Sequence, residues 1–218
     1  MGMFEEFIGD LVALAPGLRN AAQLAATTIA LAYPLGLLLG VLLDNRVRLV
    51  RIATLVVVEL GRGMPLLVIL YLVYRGLPEV GVRLDAMPSA IIAFTWSIGA
   101  YSADMFRSSI HAIPPGQREA AIASGLNARD TLRFILLPQA ARIAIPPLMN
   151  LAIITFQLTS LAYAITLPEI MHAAYLRGSV TFRYLDTFVV AAVLYAVVAI
   201  PAALLVRRLE RRLSRHLA

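Results

Sequence analysis

Apolar runs separated by short polar, arginine-bearing segments set the pattern of this chain. Residues 21–43, 52–74, 88–105, 143–165 and 187–206 are each predominantly apolar, and one helical crossing of a bilayer core needs about 20 such residues. The pattern predicts an all-α integral membrane protein with five transmembrane helices in one domain over residues 21–206. Pro34 and Gly36 fall inside the first run, and membrane helices tolerate both better than soluble helices do. Glu59, Gly61, Arg62, Gly63 and Pro65 interrupt the second. The Pro146-Pro147 pair is expected to start the fourth, because a helix accepts proline best in its first turn. Ahead of the runs, in residues 1–20, Phe4, Phe7, Ile8, Leu11 and Val12 recur at helical spacing, which predicts a short helix lying on the membrane surface. Residues 166–186 form a mixed connection in which Pro168 and Glu169 open a short helix that ends near Gly178.

Composition agrees with a polytopic membrane protein. The 218 residues are 60% hydrophobic with a mean hydropathy of +0.81, and 15% are charged, where soluble domains carry about 25%. All 19 basic residues are arginine, and the net charge is +6. The arginines are dispersed between apolar runs instead of lining one face, which argues against nucleic-acid binding and for contact with membrane lipid. Their distribution sets an orientation by the positive-inside rule. With the C-terminus inside, the inner segments hold Arg46, Arg48, Arg51, Arg107, Arg118, Arg129, Arg133, Arg142, Arg207, Arg208, Arg211, Arg212 and Arg215. The outer segments hold Arg19, Arg75, Arg83, Arg177 and Arg183. This bias of 13 against 5 puts the N-terminus outside and the basic tail, residues 207–218, in the cytoplasm. The acidic start lacks the basic flank of a cleaved signal peptide. Without cysteine there is no disulfide, thiolate metal site or thiol nucleophile. His111, His172 and His216 are isolated, and no phosphate loop of the GxxxxGK[ST] form occurs, so the chain is expected to be no enzyme and to hold no metal or cofactor of its own.

The largest polar interruption, residues 114–138, falls on the cytoplasmic side in this orientation. Pro114-Pro115-Gly116 stops the preceding helix, and residues 117–124 form a short helix of about 12 Å at 1.5 Å rise per residue. Gly125 stands where a C-terminal cap wants a left-handed residue. Asn127 and Asp130 match an N-cap and its reciprocal partner, opening a second helix that ends before Pro138. A helix, a glycine turn and another helix make a knob suited to a cleft in a partner protein.

Glu119-Ala120-Ala121, Gly125 four residues on and Leu137-Pro138 resemble the EAA loop of ABC-importer permeases. Further stretches resemble the polar amino-acid permeases of type I importers: ELGRGMPLL at residues 59–67, AYSADMFRSSI before the loop, PPGQREAA into it, LPQA after it and TSL at residues 159–161. The resemblance covers roughly residues 21–210. It implies a permease subunit that forms, with a second identical or similar permease, the path for a polar amino acid or related small solute. Two separate ATPase subunits using ATP and Mg would grip the EAA loop, and an extracytoplasmic binding protein would deliver the solute. It also implies a bacterial inner-membrane location. Two departures stand out. Asp104 and Ser108-Ser109 replace a glutamate and a Gly-Gly pair, and Gln157-Leu158 replaces a lysine followed by an acidic or amide residue. The second change removes a charge near the implied substrate path and puts charged amino acids in doubt as substrates.

The polar residues of the apolar runs are the candidates for that path. Glu59 and Arg62 lie three apart and pair on one helix face, since a bare charge at mid-membrane costs at least about 2.5 to 3.5 kcal/mol. They are a structural ion pair or part of the path. Asp104 and Arg107 repeat the spacing near a helix end, where snorkelling makes a local pair the simpler account. Gln157, Thr159 and Ser160 either bond back to their own helix or, with Tyr101 and Glu59, face a central pathway. The rival readings are a channel or scaffold subunit uncoupled from ATP, and a membrane-embedded enzyme, for which the chain offers no clustered acid, base or metal ligands.

Overall fold

The computed structural model describes residues 3–214, with side chains from Glu5 to Arg211. The side chains of Phe4 and Arg212 and the tail residues Arg215 and His216 lie outside the described residues. No strand occurs among the described residues. The helices are α1 (Met3–Leu42), α2 (Arg48–Gly63), α3 (Leu66–Tyr71), α4 (Leu77–Glu79), α5 (Ala86–His111), α6 (Pro115–Ala123), α7 (Ala128–Asp130), α8 (Leu137–Leu158), α9 (Ile170–Thr181) and α10 (Tyr184–Ser214). A π-helical turn (Leu72–Gly76) joins α3 to α4, another (Thr131–Leu136) joins α7 to α8, and a 3-10 segment (Thr159–Ile165) follows α8.

Among the described residues, three helical stretches are long and apolar enough to cross a membrane: Glu5–Leu42, Ala128–Ile165 and Tyr184–Arg211. Arg48–Gly63 and Leu66–Glu79 make a fourth when taken together, bent by 103° at the break between them. The break in the second apolar run is where Pro65 takes an extended ψ of 132° and caps α3. The run at 88–105 lies in α5, which is less apolar because it sits at the centre of the bundle. Ser89, Ser97, Ser102 and Ser109 are buried there among alanines, and α5 packs against α1, α2, α3 and α8.

Small residues bring α1 and α5 together. A Cβ on Gly40 would stand 2.8 Å from the Ala103 carbonyl oxygen, and one on Gly36 would stand 2.9 Å from the Gly99 carbonyl and 1.9 Å from Ser102 Oγ. The Ser102 hydroxyl reaches the Ala32 carbonyl at 3.3 Å, across the same contact. Gly36 and Gly40 are spaced four apart on α1, as Gly99 and Ala103 are on α5, the arrangement by which membrane helices approach closely enough for backbone-to-backbone packing.

Four expectations are corrected. The N-terminal segment is no separate surface helix; it is continuous with the first apolar run as α1. Leu14 and Ala21 are fully buried with Ile170, Ala174 and Val190, so this part of α1 packs on α9 and α10, and Gly17 lets the Glu169–Ile170 backbone come within 2.6 Å of where its Cβ would be. Pro146 and Pro147 do not begin the fourth run but lie inside α8; Pro138 occupies the first turn of that helix instead. The helix after Asn127 does not end before Pro138, because a π-helical turn at 131–136 shifts the hydrogen-bond register and carries the chain past a residue that lacks an N–H. Gly178 does not close α9. That helix runs on to a left-handed Phe182 (φ 58°), and Gly178 is the contact surface for Tyr184, whose ring carbon would lie 2.6 Å from a Cβ.

Gly40→Ile should destabilise the protein by about 1 to 3 kcal/mol or more through overpacking against α5. Gly9→Ala, with nothing within 4 Å of the new methyl, should be neutral or stabilising by about 0.5 to 1 kcal/mol. Thermal unfolding midpoints in detergent compare the two directly.

Candidate functional site

At the C-terminal end of α2, Arg62 grips two carboxylates. Its Nη2 donates to Glu59 Oε1 at 2.6 Å and its Nε to Glu59 Oε2 at 3.2 Å, while Nη1 donates to Asp104 Oδ2 on α5. Tyr101, one turn before Asp104, donates its hydroxyl to the Arg62 carbonyl at 3.1 Å. The sequence brings this about twice over: Glu59 and Arg62 share one face of α2, Tyr101 and Asp104 share one face of α5, and both pairs are spaced by three. Gly61 allows the approach, since a Cβ there would meet Ala100 and Trp96 at 2.8 Å, and Trp96 Nε1 donates to the Val57 carbonyl at 3.1 Å. One guanidinium faces two carboxylates, so the cluster carries a surplus negative charge. The three charged side chains are 36 to 50% exposed, open enough to accept an ammonium or another donor.

The predicted local pair of Asp104 with Arg107 does not form. Asp104 belongs to Arg62, and Arg107 donates its Nε to Asp44 Oδ1 at 3.0 Å, with His111 Nε2 on the other oxygen of Asp44. Asp44 had no distinguishing sequence signal, because its partners are more than 60 positions away.

Gln157, Thr159 and Ser160 occupy the change from α8 to the 3-10 segment. The Ser160 hydroxyl donates to the Gln157 carbonyl at 2.9 Å, and the Gln157 side chain is exposed. Thr159 is fully buried: its hydroxyl donates to the Phe156 carbonyl at 2.7 Å and lies 3.4 Å from the Tyr195 hydroxyl. It therefore belongs to the packing of α10 and does not face an open path. No hydrogen bond or ion pair among the described residues joins this group to the Arg62 cluster.

Beyond Thr159 lies a buried network that sequence reasoning touched only as a helix start. Glu169, fully buried, caps α9 by accepting from the Met171 and His172 backbone N–H groups at 2.8 Å each, and Tyr195 donates to its Oε2 at 2.7 Å. Burial raises the Glu169 carboxyl above its ordinary value of 4.5, against the pull of these three donors.

The polar knob is built on caps. α6 ends in a Schellman arrangement: Gly125 takes φ +81°, its N–H donates to the Ile122 carbonyl at 2.9 Å, and Leu126 N–H donates to the Ala121 carbonyl at 3.1 Å. Asn127 then caps α7, accepting from Asp130 N–H at 2.9 Å and donating its Nδ2 to Asp130 Oδ2 at 2.7 Å. Ala121 is buried, on the helix α6 that packs on the π-helical turn at 131–136, while Glu119 and Ala120 are exposed. Leu137 and Pro138 stand at the root of the knob, in the first turn of α8. Ile113, Leu136 and Ala140 form the core that anchors it.

The profile of the family described as binding-protein-dependent transport system inner membrane component matches residues 32–215. The chain belongs to this family. It is 35% identical over 209 residues to the L-cystine transport system permease protein TcyB of Bacillus subtilis (strain 168), covering 94% of this chain and 88% of that one. It is 31% identical over 205 residues to the glutamate transport system permease protein GluD of Corynebacterium glutamicum, covering 91% of this chain and 74% of that one. A crystal structure of an amino acid ABC transporter with histidines superposes with a TM-score of 0.90 and 26% identity, over 97% of this chain and 99% of that chain. The methionine ABC transporter MetNI in an inward-facing conformation shares the fold at a TM-score of 0.67 and 19% identity, over 96% of this chain and 99% of that chain. The protein is an ABC importer permease.

The buried network gives this permease a pH signature. With the native pKa of Glu169 raised, folding takes up a proton there, so the associated stability is full below the ordinary glutamate value and is lost as pH rises through the raised value. Tyr195→Phe removes a donor to the ionised form. It should cost about 1 to 3 kcal/mol where Glu169 is ionised and less where it is protonated. Unfolding midpoints of wild type and variant should therefore diverge as pH rises from below the ordinary glutamate value through the raised one.

Proposed function

We propose that this permease forms the translocation path for a polar amino acid or related small solute together with a second copy of itself or a similar permease. Two separate ATPase subunits, with ATP and Mg bound outside this chain, drive it, and an extracytoplasmic binding protein supplies the solute. Five crossings of a bacterial inner membrane, with the N-terminus outside and the knob and C-terminus in the cytoplasm, fit the arginine bias and the helix order. The three spanning stretches, the bent α2–α3 pair and the enclosed α5 supply the five.

The observation that carries coupling is the doubly capped knob. Its exposed Glu119 and Ala120, with Gly125 holding the turn, give a rigid surface that a groove in an ATPase can accept, while the Ile113–Leu136–Ala140 core ties the knob to the bundle. Leu137 and Pro138 relay motion at its root. ATP-driven closure of the two ATPases would draw the knobs together and rock the bundles between inward and outward openings.

For the solute, the half-open Glu59, Arg62, Tyr101 and Asp104 cluster offers carboxylate oxygens for an ammonium, and Gln157 and Ser160 offer neutral donors and acceptors. Thr159 positions the turn that presents them. Relatives named for glutamate and L-cystine support the amino-acid class. An uncoupled channel or scaffold is the competing reading, and it predicts a chain that never retains an ATPase subunit.

Gly125→Val forces a β-branched residue into a left-handed conformation. Substrate-stimulated ATP hydrolysis by the reconstituted transporter should fall about tenfold or more, with the ATPase subunit lost on purification and membrane insertion unchanged. Normal uptake by this variant would remove the knob from the coupling role. Arg62→Met, which leaves two carboxylates without their cation, should abolish most uptake, while Arg62→Lys should keep part of it because the ammonium holds charge but not the forked geometry. Uptake assays in proteoliposomes read both.

A further inference from the structure

A cleft of about 1000 Å³ opens between the knob and the turn joining α1 to α2. Arg46 from that turn, Arg118 from α6 and Arg129 from α7 line it, and none of the three makes a hydrogen bond or ion pair among the described residues. The one carboxylate on its wall, Asp44, is already matched by Arg107 and touched by His111. Three guanidiniums therefore face a space with no anion of the protein's own to meet them.

Apart from Asn45, His111 and Thr131, the rest of the lining is apolar, including Val41, Ile110, Ile122 and Leu132. The cleft also sits at a boundary: the spanning stretch Glu5–Leu42 ends beside it, α5 ends beside it at His111, and the stretch Ala128–Ile165 begins there. Val47 and Leu49, on the adjacent start of α2, are 57% and 77% exposed. A free phosphate would satisfy the arginines but has no use for apolar walls. An acidic polypeptide arriving from water would leave Val47 and Leu49 uncovered. An amphiphilic anion at a membrane edge satisfies both features.

We propose that this cleft binds an anionic phospholipid, with the headgroup phosphate on Arg46, Arg118 and Arg129 and the upper acyl chain along the Val41–Ile110–Leu132 wall. Clusters of arginine at a membrane boundary recognise such headgroups through charge, and guanidinium forks suit phosphate oxygens. Because Arg118 lies on α6 and Arg129 on α7, the bound lipid would brace the knob against the membrane surface. The proposal rests on the membrane placement given above but not on the identity of the transported solute.

The test is native mass spectrometry of the full chain, purified in mild detergent with equal amounts of phosphatidylglycerol and phosphatidylcholine. Wild type should retain phosphatidylglycerol preferentially. The triple variant R46Q/R118Q/R129Q should lower that preference by at least about tenfold, and A128W, which fills the cleft while keeping every arginine, should lower it as well. R207Q/R208Q, which removes two arginines from the end of α10, should leave it intact. Equal retention of the two lipids by wild type would overturn the proposal, as would a preference unchanged in both cleft variants or lost equally in the α10 control. Competition by glycerol 1-phosphate as strong as that by phosphatidylglycerol would make the site one for soluble phosphate and overturn it too. So would full displacement of the lipid on adding the ATPase subunit, which would show that the partner fills the cleft. A chain that retains no lipid of either kind would instead count against the membrane placement itself.

Discussion

The close approach of α1 and α5 is the constraint on which the remaining structure depends. In a membrane, helices gain little from the hydrophobic effect when they associate, because lipid tails are as apolar as leucine. What remains is dispersion over a closely fitted surface and the few hydrogen bonds that cross it. Gly36 and Gly40 let the two backbones come together, and the Ser102 hydroxyl bonds across to the Ala32 carbonyl. Once α5 is fixed, its other faces are assigned: Ala100 and Trp96 receive Gly61 of α2, Phe106 packs with Ala144 and Leu148 of α8, and Phe94 packs with Ile69 and Leu70 of α3. The serines that make α5 less apolar are the residues that let it occupy the middle.

Charges then fix the positions of helix ends. Arg62 links α2 to α5 through Asp104, Asp44 links the end of α1 to the end of α5 through Arg107, Asp10 of α1 holds Arg177 of α9, and Arg183 bridges Glu6 to Asp186 at the start of α10. Each ties segments distant in sequence, and each lies toward the end of a helix instead of in its middle. Partial exposure makes most of these pairs modest contributors to stability; Asp10, which is buried beside Arg177, is the exception. Their value is positional, because a carboxylate beside an apolar surface has few other places to put its charge.

Local features were legible in the sequence to the extent that their physics is local. The left-handed Gly125 and the Asn127–Asp130 cap follow from residues within six positions of each other, and the structure has both. The Glu59–Arg62 pair follows from a spacing of three. What needed distant partners was not legible. Asp104 looked destined for Arg107, three residues away, but Arg62 on another helix took it. Residues 1–20 looked like a surface helix because their inner face, built on Leu14 and Gly17, matches α9, which lies some 150 residues later. Proline was the most misleading residue. By local rules Pro146 and Pro147 mark a helix start and Pro138 an end, yet neighbouring helices and a π-helical turn absorb all three. One missed signal was present from the outset: glycine or alanine at intervals of four, at Gly36 and Gly40 and again at Gly99 and Ala103, marks a close helix contact.

On the proposed function, these corrections bear on how motion would pass through the chain. Because the helix does not stop at Pro138, the knob is the near end of a helical stretch that runs from Ala128 to Ile165, about 57 Å at 1.5 Å per residue. Its ends are the two segments with irregular hydrogen bonding, the π-helical turn at 131–136 and the 3-10 segment at 159–165. Irregular turns change register at lower cost than a regular helix, whose bonds must break together. On that reading a push on the knob would meet an adjustable joint at its root, a helix whose backbone bonding is interrupted at Pro146 and Pro147, and a second adjustable joint where Gln157 and Ser160 sit. Thr159, Tyr195 and Glu169 clamp that second joint to α10 and α9. The buried carboxylate is costly to hold in such a place, and it is worth holding because without it the far end of that helix would move without moving the helices around it.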